Sequence, residues 1–393
     1  MTTRTALLLL LVGCFTTTTK AQEVIFGLNN YIEYQVGTFP LVISVAHGGS
    51  LEPASIPNRT CNNPVFVKDV FTIETALEIK NSLFNATGCY PHIIISHLKR
   101  NKLDPNRNLK DGACENDEAV SAWNEFHNFI KEAQDKANTA HNNQTFFVDL
   151  HGHGNSIQRI ELGYLLYDDE LELSDNTLNT TKYINYSSIK NLALNNQNNY
   201  THAELLRGSK SFGTMLSSNN YPSVPSQSIP YPGTNTNYFS GGYNTANHTS
   251  YSDGVSINGL QMELNYTNIR DSSTNRTAFS VGFAKAIIDF MNANFNINWN
   301  SCNPLSINEV ILNKFSDFYP NPVNKGAFIY FDFMQNNRYE YTIVNSLGQN
   351  IKKGQLWSGE HKVNTEKLKI GFYIVQLSNK QRNEVIFKKL IVK

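Results

Sequence analysis

Residues 146–154 read Phe-Phe-Val-Asp-Leu-His-Gly-His-Gly, and this stretch limits the possible folds more than any other in the 393-residue chain. The run of Phe146, Phe147 and Val148 predicts a short strand covered on both faces, because a continuous apolar run suits a strand with helices above and below it. Such a strand delivers Asp149, His151 and His153 at its C-terminal end, the edge where open α/β sheets build their sites. The two glycines predict a sharp turn there, with room beside the imidazoles. His151 is therefore a candidate metal ligand.

The neighbouring segments supply the rest of a sheet. Residues 23–39 read as an opening hairpin or strand. Leu-Val-Ile-Ser-Val at 41–45 is a second strand, and it ends in Ala46-His47-Gly48-Gly49. Helical spacing over 70–84 predicts a helix with Asp69 as its N-cap and Gly88 as its close. A third strand over 91–96 is followed by His97, Arg100 and Leu103-Asp104-Pro105-Asn106-Arg107. An amphipathic helix over 118–138 presents Trp123, Phe126, Phe129 and Ile130. Strand, helix, strand, helix, strand implies right-handed crossovers and a mostly parallel sheet. Beyond it, 160–167 reads as a strand, 171–199 as a polar helix or insertion, and 202–216 as helical. Residues 219–249 form a long loop of a kind that is more often functional than idle. Residues 259–266 alternate as a late strand, and 276–295 form a terminal helix. The chain then changes character: short alternating strands between turns predict a small all-β sandwich at the C-terminus. The expected organisation is a signal peptide over 1–22, a catalytic domain over 23–300, a linker over 301–312 and a tail over 313–393.

The ends and the composition fix the compartment. Arg4, an apolar run over 6–12 and small polar residues up to Ala21 read as a secretory signal peptide, too short to span a bilayer. Val12-Gly13-Cys14 is a partial match to a lipidation site. No later segment is apolar enough to cross a membrane. Lys+Arg and Asp+Glu both number 33, so no charge footprint points to nucleic acid. Cys61, Cys89, Cys114 and Cys302 permit two disulfides in a secreted chain; Cys61 and Cys114 are the favoured pair, and no zinc-ribbon spacing is present.

The chemistry follows from strand ends. His47 and His151 each close a predicted parallel strand beside a glycine, so two imidazoles can share an ion, with Asp69 as the oxygen ligand and Glu52 or Glu74 as rivals. Two His, one carboxylate and an open position for water form a common catalytic zinc set. Glu263, at the end of the late strand, is placed to act as acid and base on that water. Arg100 and Arg107 can fork onto a carboxylate, and an Arg near the metal can polarise a carbonyl. Asp149 can orient an imidazole N–H, and His153 is a substitute ligand or a substrate contact. The bland alternatives are satisfied histidines, a plain helix cap, and surface salt bridges.

Taken in order, Ser44-Val45-Ala46-His47-Gly48-Gly49, Asp69, Asp104-Pro105-Asn106-Arg107, Val148-Asp149-Leu150-His151-Gly152-His153, Phe239-Ser240-Gly241-Gly242-Tyr243 and Leu260-Gln261-Met262-Glu263-Leu264-Asn265 resemble the N-formylglutamate amidohydrolase-like family over about residues 38–295. The resemblance implies a three-layer phosphorylase/hydrolase-like fold and zinc held by His47, Asp69 and His151. It implies an acid/base role for Glu263 and substrate contacts at Asn106 and Arg107; beside it, the residues themselves put Arg100 with the catalytic groups and His153 and Tyr243 with the substrate contacts. Pro105 and Ala46-His47-Gly48 depart from the usual pattern, and the middle insertion differs, so the substrate stays open. The tail, with Tyr319-Pro320-Asn321-Pro322, Gly371-Phe372-Tyr373 and a closing basic-apolar run, resembles the C-terminal sorting domain of type IX secretion, whose machinery is then a partner. The expectation is a secreted zinc amidohydrolase acting on a small amide or peptide-like substrate that carries a carboxylate. The alternatives are a zinc peptidase or peptidoglycan amidase, and a surface binding protein with an inactive hydrolase fold.

Overall fold

The computed structural model describes residues 22–233, 236–297, 315–333, 339–345, 349–357, 361–379 and 384–393. The signal peptide, Cys14, the linker and Cys302 lie outside the described residues. Two compact units divide the chain, Met1–Pro304 and Leu305–Lys393.

The first unit opens with an antiparallel hairpin of β1 (Val24–Phe26) and β2 (Ile32–Gln35). Then come β3 (Leu41–Val45), α1 (Thr72–Thr87), β4 (His92–Ser96), α2 (Leu109–Ala113), α3 (Asp117–Ala140) and β5 (Phe146–His153). After β6 (Ile160–Gly163), six short helices follow: α4 (Asp168–Leu171), α5 (Asp175–Leu178), α6 (Thr181–Tyr186), α7 (Lys190–Asn195), α8 (His202–Arg207) and α9 (Phe212–Ser217). The unit ends with β7 (Ser223–Val224), α10 (Tyr243–Asn247), β8 (Asn258–Asn265) and α11 (Ser273–Asn294).

The strands form one sheet in the order β1-β2-β4-β3-β5-β8-β6-β7. Its centre, β4-β3-β5-β8, is parallel. Its flanks are not: β2 runs antiparallel to β4 and β6 antiparallel to β8. Four of its seven ladders are parallel, so the sheet is mixed, with the expected parallel strands at its centre and antiparallel ones joined at the sides. The physical reason is connection length, since the loop between β5 and β6 is too short for a helical crossover and reverses the chain. Helices cover both faces. Ile43, Val45, Ile93, Val148, Leu260 and Met262 pack with Ala76 and Ile79 of α1 and Phe283, Ile287 and Phe290 of α11. Val42, Ile94 and Phe147 pack with Phe126 and Ile130 of α3 on the other side.

Three local expectations are corrected. Asp69 does not cap α1: the residue before the helix is Phe71, in the left-handed region, with no side-chain cap. Gly88 does close it, at φ 76°. His151, Gly152 and His153 do not form a turn. They are the last residues of β5, paired in register with Glu263, Leu264 and Asn265. Residues 168–217 form six helices of four to six residues, where a polar helix or insertion over 171–199 and one helix over 202–216 were expected. Cys61 and Cys114 form a disulfide.

The second unit holds β9 (Phe315–Tyr319), β10 (Phe328–Phe333), β11 (Tyr339–Asn345), β12 (Asn350–Leu356), β13 (Lys362–Asn364), β14 (Gly371–Asn379) and β15 (Glu384–Val392). They form a three-stranded sheet, β13-β10-β9, and a four-stranded sheet, β12-β11-β14-β15, with every ladder antiparallel. Alternate residues Tyr341, Ile343, Val375 and Leu377 meet Ile329, Phe331 and Val363 in one core, as period-two patterning requires.

Candidate metal centre

Three elements deliver three ligand atoms. His47 lies just past the end of β3, His151 lies within β5, and Asp69 is carried by residues 60–71, which run from the disulfide to α1. The Asp69 N–H donates to the His47 carbonyl at 3.1 Å, which ties that segment to the strand end. The candidate donor atoms of His47, Asp69 and His151 all lie within 4.8 Å of one another, and all three residues are buried. His151 Nδ1 is 3.0 Å from Asp69 Oδ2, and His47 Nδ1 is 3.5 Å from the same oxygen. Of the carboxylates left open by sequence, Glu52 is exposed and pairs with Lys99, and Glu74 is exposed in the first turn of α1. Neither joins the group.

The far nitrogens fix the near ones. His47 Nε2 is 2.7 Å from Asp104 Oδ1, and His151 Nε2 is 2.9 Å from Asp149 Oδ2. With each Nε2 facing its own carboxylate, each Nδ1 faces Asp69, where a cation can take the place of a proton. His47 Nδ1 is buried and has no hydrogen-bond partner. Buried polar atoms are rarely left so, and a cation between the rings would satisfy it. The charge balance agrees. Asp149 is fully buried, and its other partners are the Ser44 hydroxyl at 2.6 Å and the Asn244 amide at 3.1 Å, both neutral. Burial opposes ionisation of Asp69, Asp104 and Asp149, but the neighbouring imidazoles outweigh it and hold all three carboxyls below the ordinary range. Burial likewise opposes a charged His151, and Asp149 and Asp69 outweigh it, raising that imidazole well above its usual value. The residues present therefore fit a divalent cation.

Glu263 stands beside this group, opposite His151 in the β5–β8 register. It is buried, and Oε1 accepts from Gln261 Nε2 at 2.9 Å. Burial, opposed by His151 and reinforced by Asp69 and Glu161, pushes its carboxyl up to about 8. Glu161 lies directly across the β6–β8 ladder from it and is raised by burial as well.

Asp104 is the hub that sequence reasoning passed over. It receives His47 and Arg100 Nε at 3.1 Å, Arg107 Nε at 3.4 Å, Arg59 Nη2 at 3.5 Å and the Asn106 N–H at 3.1 Å. Arg59, buried in an aperiodic loop, carried no signal. Asp104 did carry one, since its spacing to Arg100 and Arg107 suits a shared contact. Arg100 also lies 4.0 Å from Asp69 Oδ1 and is partly exposed, as is Arg107. Asn106 is engaged by the framework: its Oδ1 accepts the Asn244 N–H at 2.9 Å and its Nδ2 is 3.3 Å from His151 Nε2. Tyr243 is half-buried against Trp123 and His127. His153 departs most from its expected role as a ligand or substrate contact. Its Nε2 donates to the Arg159 carbonyl at 2.8 Å and its Nδ1 accepts the Asn155 N–H at 3.1 Å, so the ring holds its own loop.

Residues 317–393 match the family described as Secretion system C-terminal sorting domain. No curated protein matches the chain. The tail is thus a type IX sorting domain, and the protein is secreted or on the cell surface. Among the described residues no helix is long and apolar enough to cross a membrane.

Proposed function

We propose that the first unit is a secreted, zinc-dependent amidohydrolase that cleaves an amide bond next to a carboxylate, in the manner of the N-formylglutamate amidohydrolase-like family. The observation that carries the reading is the convergence of His47, Asp69 and His151, each imidazole braced from behind by its own aspartate. Two nitrogens and one oxygen with room for a further ligand are the donor set of catalytic zinc. Zinc, when bound, supplies a Lewis acid that polarises the amide carbonyl and acidifies a water. This chain's residues do the rest. Glu263 lies buried beside the group, with its carboxyl raised to about 8; a bound cation would favour its ionised form, which accepts the water's proton and returns it to the leaving amine. Arg100 and Arg107, spread over Asp104 and still partly exposed, turn N–H groups to the substrate carboxylate.

The test is made on the full chain purified without chelator. About one zinc per chain by mass spectrometry, lost with a chelator and restored by zinc, is expected together with hydrolysis of N-acyl amino acids or peptidoglycan stem fragments. Glu263→Gln should keep the zinc and lose roughly 10²–10⁴-fold in kcat, the usual worth of a proton-transfer group. A chain that holds no zinc and cleaves no amide is instead a binding protein on a hydrolase-like scaffold.

A further inference from the structure

Residues 60–71 do more than carry Asp69. Their main chain is clamped by four arginines. Arg107 Nη1 donates to the Asn62 carbonyl at 3.1 Å, Arg59 Nη2 to Val65 at 2.8 Å, Arg100 Nη1 to Val67 at 3.4 Å, and Arg270 Nη1 to Val70. The disulfide closes one end and the His47–Asp69 main-chain bond the other. A segment fixed this firmly has its side-chain directions fixed too. They put Val65 (38%), Phe66 (45%), Val67 (72%) and Val70 (39%) at the surface. Four large apolar side chains exposed within six residues, on a backbone that cannot fold them away, mark a surface built for contact. The contact lies beside the metal group: Arg100 joins Val67 to Asp104 and approaches Asp69, and Asp69 is two residues beyond Val67.

We propose that this segment is a specificity lip, and that the preferred substrate carries a bulky apolar side chain on the carbon that bears its carboxylate. The inference rests on the amidohydrolase reading. Arg100 gives the geometry. Its Nη1 donates to the Val67 carbonyl and Arg107 Nη1 to the Asn62 carbonyl, so a carboxylate docked on these two guanidiniums lies next to the main chain that carries Phe66 and Val67, and its α-substituent is the part of the substrate we assign to them. A substrate with glycine there leaves the lip wet, whereas one with phenylalanine or leucine covers it.

The experiment compares kcat/KM for N-acetyl-phenylalanine and N-acetylglycine in the full chain, in Phe66→Ser/Val67→Ser, and in the control Val281→Ser, an exposed valine on α11. The wild type should prefer the phenylalanyl compound. The double variant should lose that preference roughly ten-fold, the scale on which a few methylenes are discriminated, and the control should keep it. A second readout does not need turnover: in calorimetry 3-phenylpropionate should bind the wild type more tightly than acetate, and the double variant should narrow the gap. If no N-acyl amino acid is cleaved but the calorimetric preference holds and is lost in the variant, the amidohydrolase reading fails and the lip stands. An unchanged ratio and an unchanged calorimetric gap overturn the lip. Loss of a dimer by the double variant in sedimentation velocity, with both ratios intact, would overturn it in favour of a contact between two copies of the chain.

Discussion

Asp104 shows how one residue can serve two chemistries. Its Oδ1 holds the His47 ring so that Nδ1 faces Asp69, and its Oδ2 gathers Arg59, Arg100 and Arg107. Changing Asp104→Asn removes the charge and leaves one acceptor oxygen, so the imidazole tautomer is no longer enforced. We expect zinc affinity to fall about 10–100-fold, the usual cost of losing such a partner, as read by competition with a chromophoric chelator. Unchanged affinity would mean that His47 is oriented by packing alone. At this scale the sequence was legible where a side chain sits in a motif: His47 and His151 stand beside glycines and Glu263 in an alternating run, whereas Asp69 was picked out as a helix cap that it is not. It was silent where a residue acts through a distant partner. Arg59 and Glu161 enter the group only because the chain brings their loops and strands together, and nothing in their local spacing announces it. His153 was left open between ligand and substrate contact for the converse reason: a motif histidine offers two nitrogens, and only the fold shows both taken up by main chain.

Among the elements, strands with continuous apolar runs were readable from composition, and β3, β4 and β5 lie where the runs lie. The end of β5 was not readable. Polar residues and glycines there imitate a turn, yet the strand continues because its polar face lines a polar site and its backbone still pairs with β8. The short helices after β6 were blurred because four to six residues are too few to show a 3.6 period. Gly152 carries the consequence. A Cβ on it would stand 2.3 Å from the Arg270 guanidinium carbon. That guanidinium is buried and bonded to the carbonyls of Val70, His153 and Leu264, so it cannot withdraw. The Gly152 N–H also donates to Asp69 Oδ2 at 3.2 Å. Gly152→Ala should therefore cost about 1–3 kcal/mol by overpacking, lower the urea midpoint and weaken zinc binding together. Gly154→Ala, where a Cβ meets nothing within 4 Å, should do neither. Equal behaviour of the two variants would show that Arg270 does not lock the end of β5.

At the scale of the whole molecule, a sorting tail and a separate α/β unit make a protein that works outside the cell, where pH is not buffered for it. The first unit hides histidines that the metal group does not use. In His92, Nδ1 accepts from the Gly37 N–H at 3.2 Å and lies 2.8 Å from the Tyr34 hydroxyl, and burial, aided by Lys136 and His141, holds its pKa down to about 3. His127 and His248 stack with Nδ1 and Nε2 2.7 Å apart, held down by burial to about 3 and about 4, and burial holds His202 down to about 4. All four lie below the ordinary 6.5, so all four have the same sign. As pH falls below 6.5 the unfolded chain takes up protons that the folded chain refuses, and stability declines until the folded pKa is passed. Above 6.5 both states are neutral at these positions, and their contribution is complete. For one such group the slope approaches about 1.4 kcal/mol per pH unit. These four groups make the urea midpoint fall between pH 6.5 and 4, against Glu263, whose raised carboxyl works in the opposite sense between about 4.5 and 8, and His92→Gln should shallow the histidine part of the fall by roughly one group's share. The raised pKa of His151 acts in another window: in the metal-free chain its contribution is complete below 6.5, adds no slope there, and is lost as pH rises through the folded value. Zinc-saturated protein, in which that nitrogen cannot hold a proton, should therefore lack this loss. An equal loss above pH 6.5 with zinc bound would remove His151 from the account.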